Sequence, residues 1–376
     1  MIKRQLANLI RKRMNDNKAI IILGPRQSGK TTLVKNLAED SGKKFLWLNG
    51  DETDIRQQLE NPTSTRIKNI IGKNKMLVID EAQRIENIGL CIKLITDNIP
   101  EVKVIATGSS SFELANKINE PLTGRKWEFF LLPFSFAEMV SHHGLQDEKR
   151  LLEQRMIFGY YPEAVNNPSD EPARLKQLAD SYLYKDILTW ENIKKPDRLE
   201  KLVQALALQV GSEVKFSELG QTVGLDNETT ERYISLLEKA FIVFRIGSLS
   251  RNVRNELKKS RKIYFYDNGL RNAVINQFNT LELRSDKGAL WENFLMTERL
   301  KLQNYQGISA TRYFWRTNAQ QEIDYLEERN GKLSAFEFKW KSKEKNKFPK
   351  TFLDAYPGSH TETITNDTFE EFLGVN

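Results

Sequence analysis

The chain has 376 residues, of which 39% are apolar and 28% are charged, a composition typical of a globular protein with about two to four domains. No apolar run approaches the length of a membrane span, so we expect no membrane segment. One cysteine, Cys91, excludes an internal disulfide and fits a reducing cytoplasm, and the net charge of +7 permits nucleic-acid binding without requiring it.

The N-terminal segment, Met1–Lys18, is basic and amphipathic. It lacks the continuous apolar stretch and the small-residue cleavage site of a secretory signal. Its apolar residues instead recur at helical spacing, which predicts a first helix that packs Leu6, Leu9 and Ile10 against the core.

A glycine-bounded loop follows the apolar run Ala19–Leu23 and matches the pattern GxxxxGK[ST]. In this pattern a buried strand ends, backbone N–H groups surround phosphates, and a helix begins at the lysine. We expect Lys30 to reach the β- and γ-phosphates of a nucleoside triphosphate and the Thr31 hydroxyl to hold Mg²⁺. The predicted lining of this site consists of Gly24, Pro25, Arg26, Gln27, Ser28, Gly29, Lys30, Thr31 and Thr32.

A second apolar strand, Met76–Ile79, ends in the acidic pair Asp80 and Glu81. A carboxylate at the end of such a strand is placed to bind Mg²⁺ through water, which we assign to Asp80. Glu81 is the predicted general base, which would polarise the attacking water.

A third strand, Val102–Ala106, runs into Thr107 and Ser109, either of which is placed to sense the γ-phosphate, with Thr107 preferred. Farther along, Arg125 is a candidate arginine finger, acting either in cis or from a neighbouring subunit, so the chain would be a monomer or a homo-oligomer accordingly. The alternative for Arg125 is a surface ion pair. Strands that alternate with helices predict a parallel sheet covered on both faces.

Several of these segments together resemble a prokaryotic family of AAA-like P-loop ATPases whose C-terminal half carries a domain of unknown function. The segments are Gly24–Thr32, Val78–Gln83, Thr107–Ser111, Leu122–Arg125 and Gly159–Glu163. The resemblance implies ATP and Mg²⁺ as cofactors and an α/β fold: a P-loop NTPase parallel sheet, a helical lid, a winged helix and a restriction-endonuclease-like domain. We place these four domains at residues 1–134, 135–195, 196–266 and 267–376.

The winged-helix prediction also follows from the residues themselves. Three helical segments precede two short strands, which is the winged-helix order. Ser217 is the expected N-cap of the second helix, and Asp226 or Asn227 that of the third. The third helix is acidic and matches DNA poorly, whereas the loop between the strands suits contacts to a DNA backbone. The alternative is a protein-docking module. The basic cluster of this loop comprises Arg251, Arg254, Lys258, Lys259, Arg261 and Lys262.

The last domain carries a set that resembles the PD-(D/E)XK nuclease constellation: Glu292, Asp324, Glu337 and Lys339. Asp324 and Glu337 on adjacent strands would share a Mg²⁺ that polarises a phosphodiester, and Lys339 would steady the developing charge. The alternative is an ordinary half-buried strand whose Glu337 and Lys339 face solvent.

These observations favour an ATP hydrolase that couples ATP binding and hydrolysis to a C-terminal module that contacts nucleic acid. A narrower hypothesis makes that module an ATP-gated, Mg²⁺-dependent nuclease. The alternative is a signalling ATPase whose inactive nuclease fold binds protein partners. The acidic third helix favours this alternative, and the basic loop favours nucleic acid.

Overall fold

The computed structural model describes residues 1–109, 118, 121–181, 193, 195–250, 261–341 and 347–375. Some of the predictions concern residues outside these ranges. They are the hydroxyl residues Ser110 and Ser111 and four of the six basic-loop residues, Arg251, Arg254, Lys258 and Lys259.

The first 134 residues contain a five-stranded sheet in which every neighbouring pair is parallel, in the order β2-β3-β4-β1-β5. Alternate residues of β1 enter different cores, because Ile20 packs in one apolar cluster and Ile21 in another. The predicted parallel sheet covered on both faces is therefore confirmed. Its strands are β1 (Ala19–Leu23), β2 (Phe45–Asn49), β3 (Met76–Asp80), β4 (Lys103–Gly108) and β5 (Lys126–Phe130). Its helices are Leu6–Arg11, Lys30–Asp40, Thr53–Glu60, Ser64–Ile71 and Ile88–Asn98, with a short 3₁₀ helix at Ala82–Arg84.

A set of short helices follows this sheet. The first is held by a capping box in which the Ser135 hydroxyl accepts from the Glu138 N–H and the Glu138 carboxylate accepts from the Ser135 N–H. The helices are Phe136–His143, Leu145–Arg150, Leu152–Phe158, Pro162–Val165 and Glu171–Ala179.

The predicted helices of the next segment are present. Asp226 caps the third of them, accepting from the Thr229 N–H at 2.8 Å, as expected. The expected Ser217 cap is wrong, because that helix begins one residue earlier and Lys215 precedes it without a side-chain hydrogen bond. The helices are Pro196–Leu208, Phe216–Val223 and Asn227–Lys239.

The second sheet has seven strands in the order β12-β11-β10-β9-β7-β8-β6. A parallel pairing of β7 with β9 joins strands from before residue 266 to strands after it, so one sheet spans both of the C-terminal ranges assigned from the sequence. The strands are β6 (Glu213–Val214), β7 (Val243–Ser248), β8 (Arg261–Phe265), β9 (Thr311–Arg316), β10 (Glu322–Arg329), β11 (Lys332–Phe338) and β12 (His360–Ile364). The helices of this part are Asn268–Val274, Lys287–Gln306, Lys350–Ala355 and Phe369–Phe372, with a short 3₁₀ helix at Leu281–Leu283.

The helix Lys287–Gln306, called the long helix below, connects the two halves of the molecule. It has 20 residues, which corresponds to a length of about 30 Å. Near its start Trp291 stacks on Phe294 and meets Trp340 edge to face, and near its end Tyr305 packs in the core of the first sheet. One rigid element thus touches both sheets.

Candidate functional site

The glycine-bounded loop takes the predicted position between β1 and the helix Lys30–Asp40. Gly24 has no substitute here, because a Cβ atom on it would lie 2.0 Å from the carbonyl oxygen of Leu131. The loop therefore runs directly against the strand end beside it, and it turns into the helix at Gly29, whose φ of 91° is also a glycine conformation. The sequence pattern located both the loop and the start of the helix.

Lys30 is buried, with 5% of its surface exposed. Its ammonium donates to the carbonyl oxygens of Gly24 at 2.9 Å and Pro25 at 2.7 Å, which holds the side chain across the loop. Burial lowers the pKa of Lys30 to about 8, although the nearby carboxylates of Glu81 and Asp80 favour its charged form.

Asp80, Thr31 and Thr107 meet at the carboxyl ends of three neighbouring strands. The Thr31 hydroxyl donates to Asp80 Oδ2 at 2.9 Å, and the Thr107 hydroxyl donates to the other carboxylate oxygen. Strand β4 lies between β1 and β3, so its last residues fall between the loop and Asp80. One hydroxyl and one carboxylate fit Mg²⁺, which binds few protein oxygens alongside phosphates.

Glu81 lies next to this group in a left-handed backbone conformation with φ of 49°. Its backbone N–H donates to the Thr107 hydroxyl at 3.2 Å. The buried amide of Gln83 donates both to the Glu81 carboxylate and to Ser109 Oγ, the latter at 3.0 Å. Sequence reasoning assigned no role to Gln83, whose only signal was its place in the Asp-Glu-Ala-Gln segment.

Arg125 lies away from the loop. It immediately precedes β5, whose first residue pairs with Ala19 at the start of β1, while the loop follows the other end of β1. Four residue steps along a strand separate these ends by about 13 Å. Arg125 instead pairs with Asp97 at 2.7 Å on the surface. In this structure Arg125 does not reach the loop of its own chain, because parallel strands place it at the opposite edge of the sheet, and its action from a neighbouring subunit stays a prediction.

The four nuclease-like residues come together in one cleft of about 440 Å³. The long helix contributes Glu292, β10 contributes Asp324, and β11 contributes Glu337, with Lys339 directly after it. Lys339 Nζ lies 3.5 Å from Glu337 Oε2. Glu337 is 5% exposed, so the alternative of a strand with its acidic face in solvent does not describe β11.

Lys262 also enters this cleft, and sequence reasoning had placed it elsewhere. It was expected in the basic loop, but it is 1% exposed on β8, and its ammonium lies 2.6 Å from Glu322 Oε1 and 3.0 Å from Glu292 Oε1. The correction follows from pairing: β8 lies between β6 and β7, inside the sheet. Burial raises the pKa of Glu292 to about 7, against the attraction of Lys262.

Three further charged residues of the cleft had no predicted role: Glu213 and Arg316 come from strands that carry no motif, and Glu322 lies beside Asp324 on β10. Arg316 Nη1 on β9 lies 2.8 Å from Glu213 on β6 and 3.5 Å from Glu322 Oε2. Within the ranges that the structure describes, no three histidine, cysteine, aspartate or glutamate side chains are arranged to hold a metal ion. The expected Mg²⁺ site at Asp324 and Glu337 stays a prediction.

A buried arginine near the N-terminus joins the loop to the C-terminal half. Arg4 donates to the carbonyl oxygens of Ser28 in the loop at 2.6 Å and Leu132 at 2.5 Å, and it pairs with Glu138 at 3.1 Å. The hydroxyl of Tyr305, on the long helix, accepts from Arg4 at 3.3 Å and from the Leu132 N–H at 3.1 Å. No sequence motif marks Arg4.

The long helix makes further polar contacts with the segment after the first sheet. Glu298 accepts from the Phe136 N–H at 2.7 Å, and Lys301 donates to the Phe134 carbonyl oxygen at 2.7 Å. Lys301 and Glu298 also pair with each other at 2.7 Å, so both buried charges are compensated. These contacts fix the last turns of the long helix to the half that carries the glycine-bounded loop.

None of the described helices is both long and apolar enough to span a membrane. Residues 16–140 match a family model described as AAA domain. This range, which contains the glycine-bounded loop, is thus similar to an AAA-like P-loop domain. Beyond this domain, residues 149–281 and 287–370 match two models described as domains of unknown function, DUF8612 and DUF4143.

Relatives of known sequence extend the similarity beyond the AAA-like domain. An uncharacterized protein of Mycobacterium tuberculosis is 25% identical over 350 residues, which cover 90% of this chain and 74% of that protein. An uncharacterized protein of Haemophilus influenzae is 25% identical over 284 residues, covering 68% of this chain and 69% of that protein.

Among solved structures, the Walker-type ATPase of Pyrococcus abyssi is 14% identical, with a TM-score of 0.49, and the match covers 73% of this chain and 96% of that one. The Aeropyrum pernix ORC1 protein in complex with DNA is 13% identical, with a TM-score of 0.32, and the match covers 72% of this chain and 90% of that one.

Proposed function

We propose that this protein is an ATP-driven switch, in which ATP binding and hydrolysis at the glycine-bounded loop reposition the C-terminal half through the long helix. The observation that carries the proposal is the Arg4 network. One buried guanidinium contacts the phosphate-binding loop and the long helix at once. A movement of the loop at Ser28 would therefore move Arg4 and, through it, Tyr305.

The ATP chemistry would use residues that are already gathered. Lys30 would leave the carbonyl oxygens of Gly24 and Pro25 and donate to the β- and γ-phosphates. The carbonyl oxygens are uncharged, so the negatively charged phosphates are stronger acceptors for the ammonium. Thr31 and Asp80 would hold Mg²⁺, which neutralises phosphate charge when it is bound. Glu81 would take the proton of the attacking water, with its carboxylate oriented by Gln83.

Thr107 would report on the γ-phosphate. Its hydroxyl bonds Asp80 and accepts from the backbone N–H of Glu81, so it touches both the metal ligand and the base. A shift of the Asp80 carboxylate or of the Glu81 backbone on hydrolysis would break one of these hydrogen bonds. The left-handed conformation of Glu81 supports this role, because strained backbone is common at sites that change state.

Hydrolysis would then alter the contact between Ser28 and Arg4. Because Arg4 also bonds Leu132 and Tyr305, its displacement would change the seating of the last turn of the long helix. The same helix carries Glu292 into the C-terminal cleft. A small movement at one end would thereby reach the cleft along a single rigid element.

For the C-terminal half we propose contact with nucleic acid through the basic loop and β8, where Arg261 begins the strand. The acidic third helix is less unfavourable than its sequence indicates, because Arg245 pairs with its Glu238 at 2.8 Å and its Glu231 at 3.7 Å. The second candidate is the signalling ATPase that binds a protein partner. The paired state of the cleft charges favours it.

A Mg²⁺-dependent nuclease is the narrower form of the first candidate. The assembly of Glu292, Asp324, Glu337 and Lys339 in one cleft supports it, and the ammonium of Lys262 in the same cleft opposes it. Screening DNA and RNA cleavage with ATP and Mg²⁺ decides between them. Cleavage by the wild type that Asp324→Ala abolishes, with ATP hydrolysis retained, would establish the nuclease. Absence of cleavage on every substrate would favour the partner-binding role.

The switch itself is tested by hydrogen exchange of the long helix with and without a non-hydrolysable ATP analogue. We expect the analogue to change exchange in residues 298–306 of the wild type. Tyr305→Phe, which removes only the hydroxyl that meets Arg4, should bind the analogue and lose this change.

Arg4→Met, which removes the guanidinium that contacts both the loop and Tyr305, should also lose the change. Its matched control is Arg11→Met, because Arg11 lies in the helix that follows Arg4 and forms a surface ion pair with Asp40. Arg11→Met should behave as the wild type. An analogue-dependent change that survives both Arg4→Met and Tyr305→Phe would contradict the proposed path.

A further inference from the structure

Lys262 occupies a position in the C-terminal cleft that sets what the cleft can bind. Its backbone is held on both sides, because β8 pairs there with Glu213 of β6 and Ile246 of β7. This pairing decides the face of the sheet on which its side chain lies. The side chain projects into the cleft, with 1% of the residue exposed. The Phe314 ring covers the ammonium, with its centroid 5.7 Å from Nζ.

Three carboxylates from two different elements surround this ammonium. Nζ lies 2.6 Å from Glu322 Oε1, 3.0 Å from Glu292 Oε1 and 3.8 Å from Asp324 Oδ1. An ammonium has three N–H donors; here it lies at hydrogen-bond distance from Glu322 and Glu292 and attracts Asp324 from farther away.

The second oxygens of Asp324 and Glu322 also have partners, and the Glu292 oxygen that meets Lys262 has a further donor. Asp324 Oδ2 accepts from the Phe338 N–H at 2.9 Å, and Glu292 Oε1 also accepts from the Tyr264 hydroxyl at 2.6 Å. Glu322 Oε2 faces Arg316 Nη1 at 3.5 Å. The carboxylates are therefore arranged around a singly charged donor rather than around open coordination positions.

We propose that the Lys262 ammonium is the resident cation of this cleft and excludes a divalent metal ion from Glu292, Glu322 and Asp324. A Mg²⁺ ion needs oxygen ligands at about 2.0–2.1 Å in octahedral geometry. At this position it would separate the buried ammonium of Lys262 from the three carboxylates that lie beside it. A divalent ion beside the ammonium would be repelled by it, more strongly in a buried cleft than in water.

With Lys262 in place, Glu292, Glu322 and Asp324 form an ion cluster that joins β8 and the long helix to β10. Metal-dependent cleavage of a phosphodiester does not start in such a cluster. The inference does not depend on the ATP-driven switch, because metal binding at the cleft is measured without nucleotide.

The test compares Mn²⁺ binding to the full chain by electron paramagnetic resonance, without nucleotide. We expect the wild type to show no cleft site tighter than about 1 mM, the weak end of divalent sites in proteins. Lys262→Met, which removes the charge and keeps the length, should gain a site at least about tenfold tighter. Adding Asp324→Asn to Lys262→Met should remove that site.

Lys339→Met is the matched control, since Lys339 lies in the same cleft and contacts one carboxylate at 3.5 Å. It should bind Mn²⁺ no better than the wild type. Lys262→Arg keeps the positive charge and should also gain nothing, which distinguishes loss of charge from loss of packing.

Should Lys262→Met fail to fold, the wild type and Asp324→Asn still decide. Wild-type Mn²⁺ binding without nucleotide that Asp324→Asn abolishes would overturn the proposal. Equal, weak binding by the wild type and Asp324→Asn supports it.

Discussion

The glycine-bounded loop and the C-terminal cleft each place a buried lysine beside carboxylates, but the two lysines are held differently. Lys30 donates to two backbone carbonyls, and burial lowers its pKa to about 8. Burial would also lower the pKa of Lys262, but the carboxylates of Glu292, Asp324 and Glu322 outweigh that effect and raise it.

The difference in partners explains why one buried lysine is available to a ligand and the other is not. Carbonyl oxygens are uncharged acceptors, so an incoming polyanion is a better partner for Lys30 than its present ones. Lys262 already has charged partners at hydrogen-bond distance, so an incoming anion gains little from it. The first site is prepared to bind a ligand, whereas the second compensates its own charges.

The largest effect expected at the first site is on hydrolysis. Glu81→Gln removes the proposed base and keeps the shape, so ATP should still bind while its hydrolysis slows by about 10²–10⁴-fold. Steady-state phosphate release measures the rate, and Glu86→Gln, an exposed glutamate nearby, is the control. Turnover at the wild-type rate in Glu81→Gln would remove Glu81 as the base.

Next in size is the loss of ATP affinity in Lys30→Ala. Removing the charged partner of the phosphates should weaken binding by about 10²-fold or more. Calorimetry with ATP and Mg²⁺ gives the dissociation constant. Lys35→Ala, on the exposed face of the same helix, should bind as the wild type does. Unchanged affinity in Lys30→Ala would exclude the loop as the phosphate site.

The pH dependence of ATP affinity sharpens the contrast between the two lysines. Since the pKa of Lys30 is about 8 in the free protein, the ammonium that binds phosphate is lost as pH rises above 8. Affinity should fall by up to about tenfold per pH unit between pH 8 and 10. The residual affinity of Lys30→Ala should lack this dependence. A flat wild-type profile over that range would contradict the role of Lys30.

The smallest effect is expected from Arg125→Ala. Because Arg125 lies at the opposite edge of the sheet, ATP affinity measured at low protein concentration should be unchanged. Arg26→Ala, a substitution inside the loop, is the contrasting variant and should weaken binding. A lower ATP affinity in dilute Arg125→Ala would show that this arginine reaches the loop of its own chain.

The sequence allowed prediction of the ATP-site half because its signals are local. An apolar strand, a glycine pattern and an acidic strand end each lie within a few residues, and the parallel sheet brings Lys30, Thr31, Asp80 and Thr107 together. The position of Arg125, away from the loop of its own chain, could not be read from a local pattern. The direction of β5 in the sheet decides which end of the strand faces the loop.

The C-terminal cleft was only partly predictable. Glu292, Asp324, Glu337 and Lys339 followed from a spaced pattern, but Lys262 was assigned to the loop because its neighbours in sequence are basic. Its burial depends on pairing with strands more than ten residues away in the chain. The Arg4 network was missed for the same reason: its partner Tyr305 lies 301 residues along the chain.

One measurement tests the contrast most directly: protein-bound Mn²⁺ counted with and without a non-hydrolysable ATP analogue, in the wild type, Asp80→Asn and Asp324→Asn. We predict tight Mn²⁺ binding only when the analogue is present. This binding should be lost in Asp80→Asn and retained in Asp324→Asn. Tight Mn²⁺ binding without nucleotide that disappears in Asp324→Asn, or none with the analogue in the wild type, would contradict it.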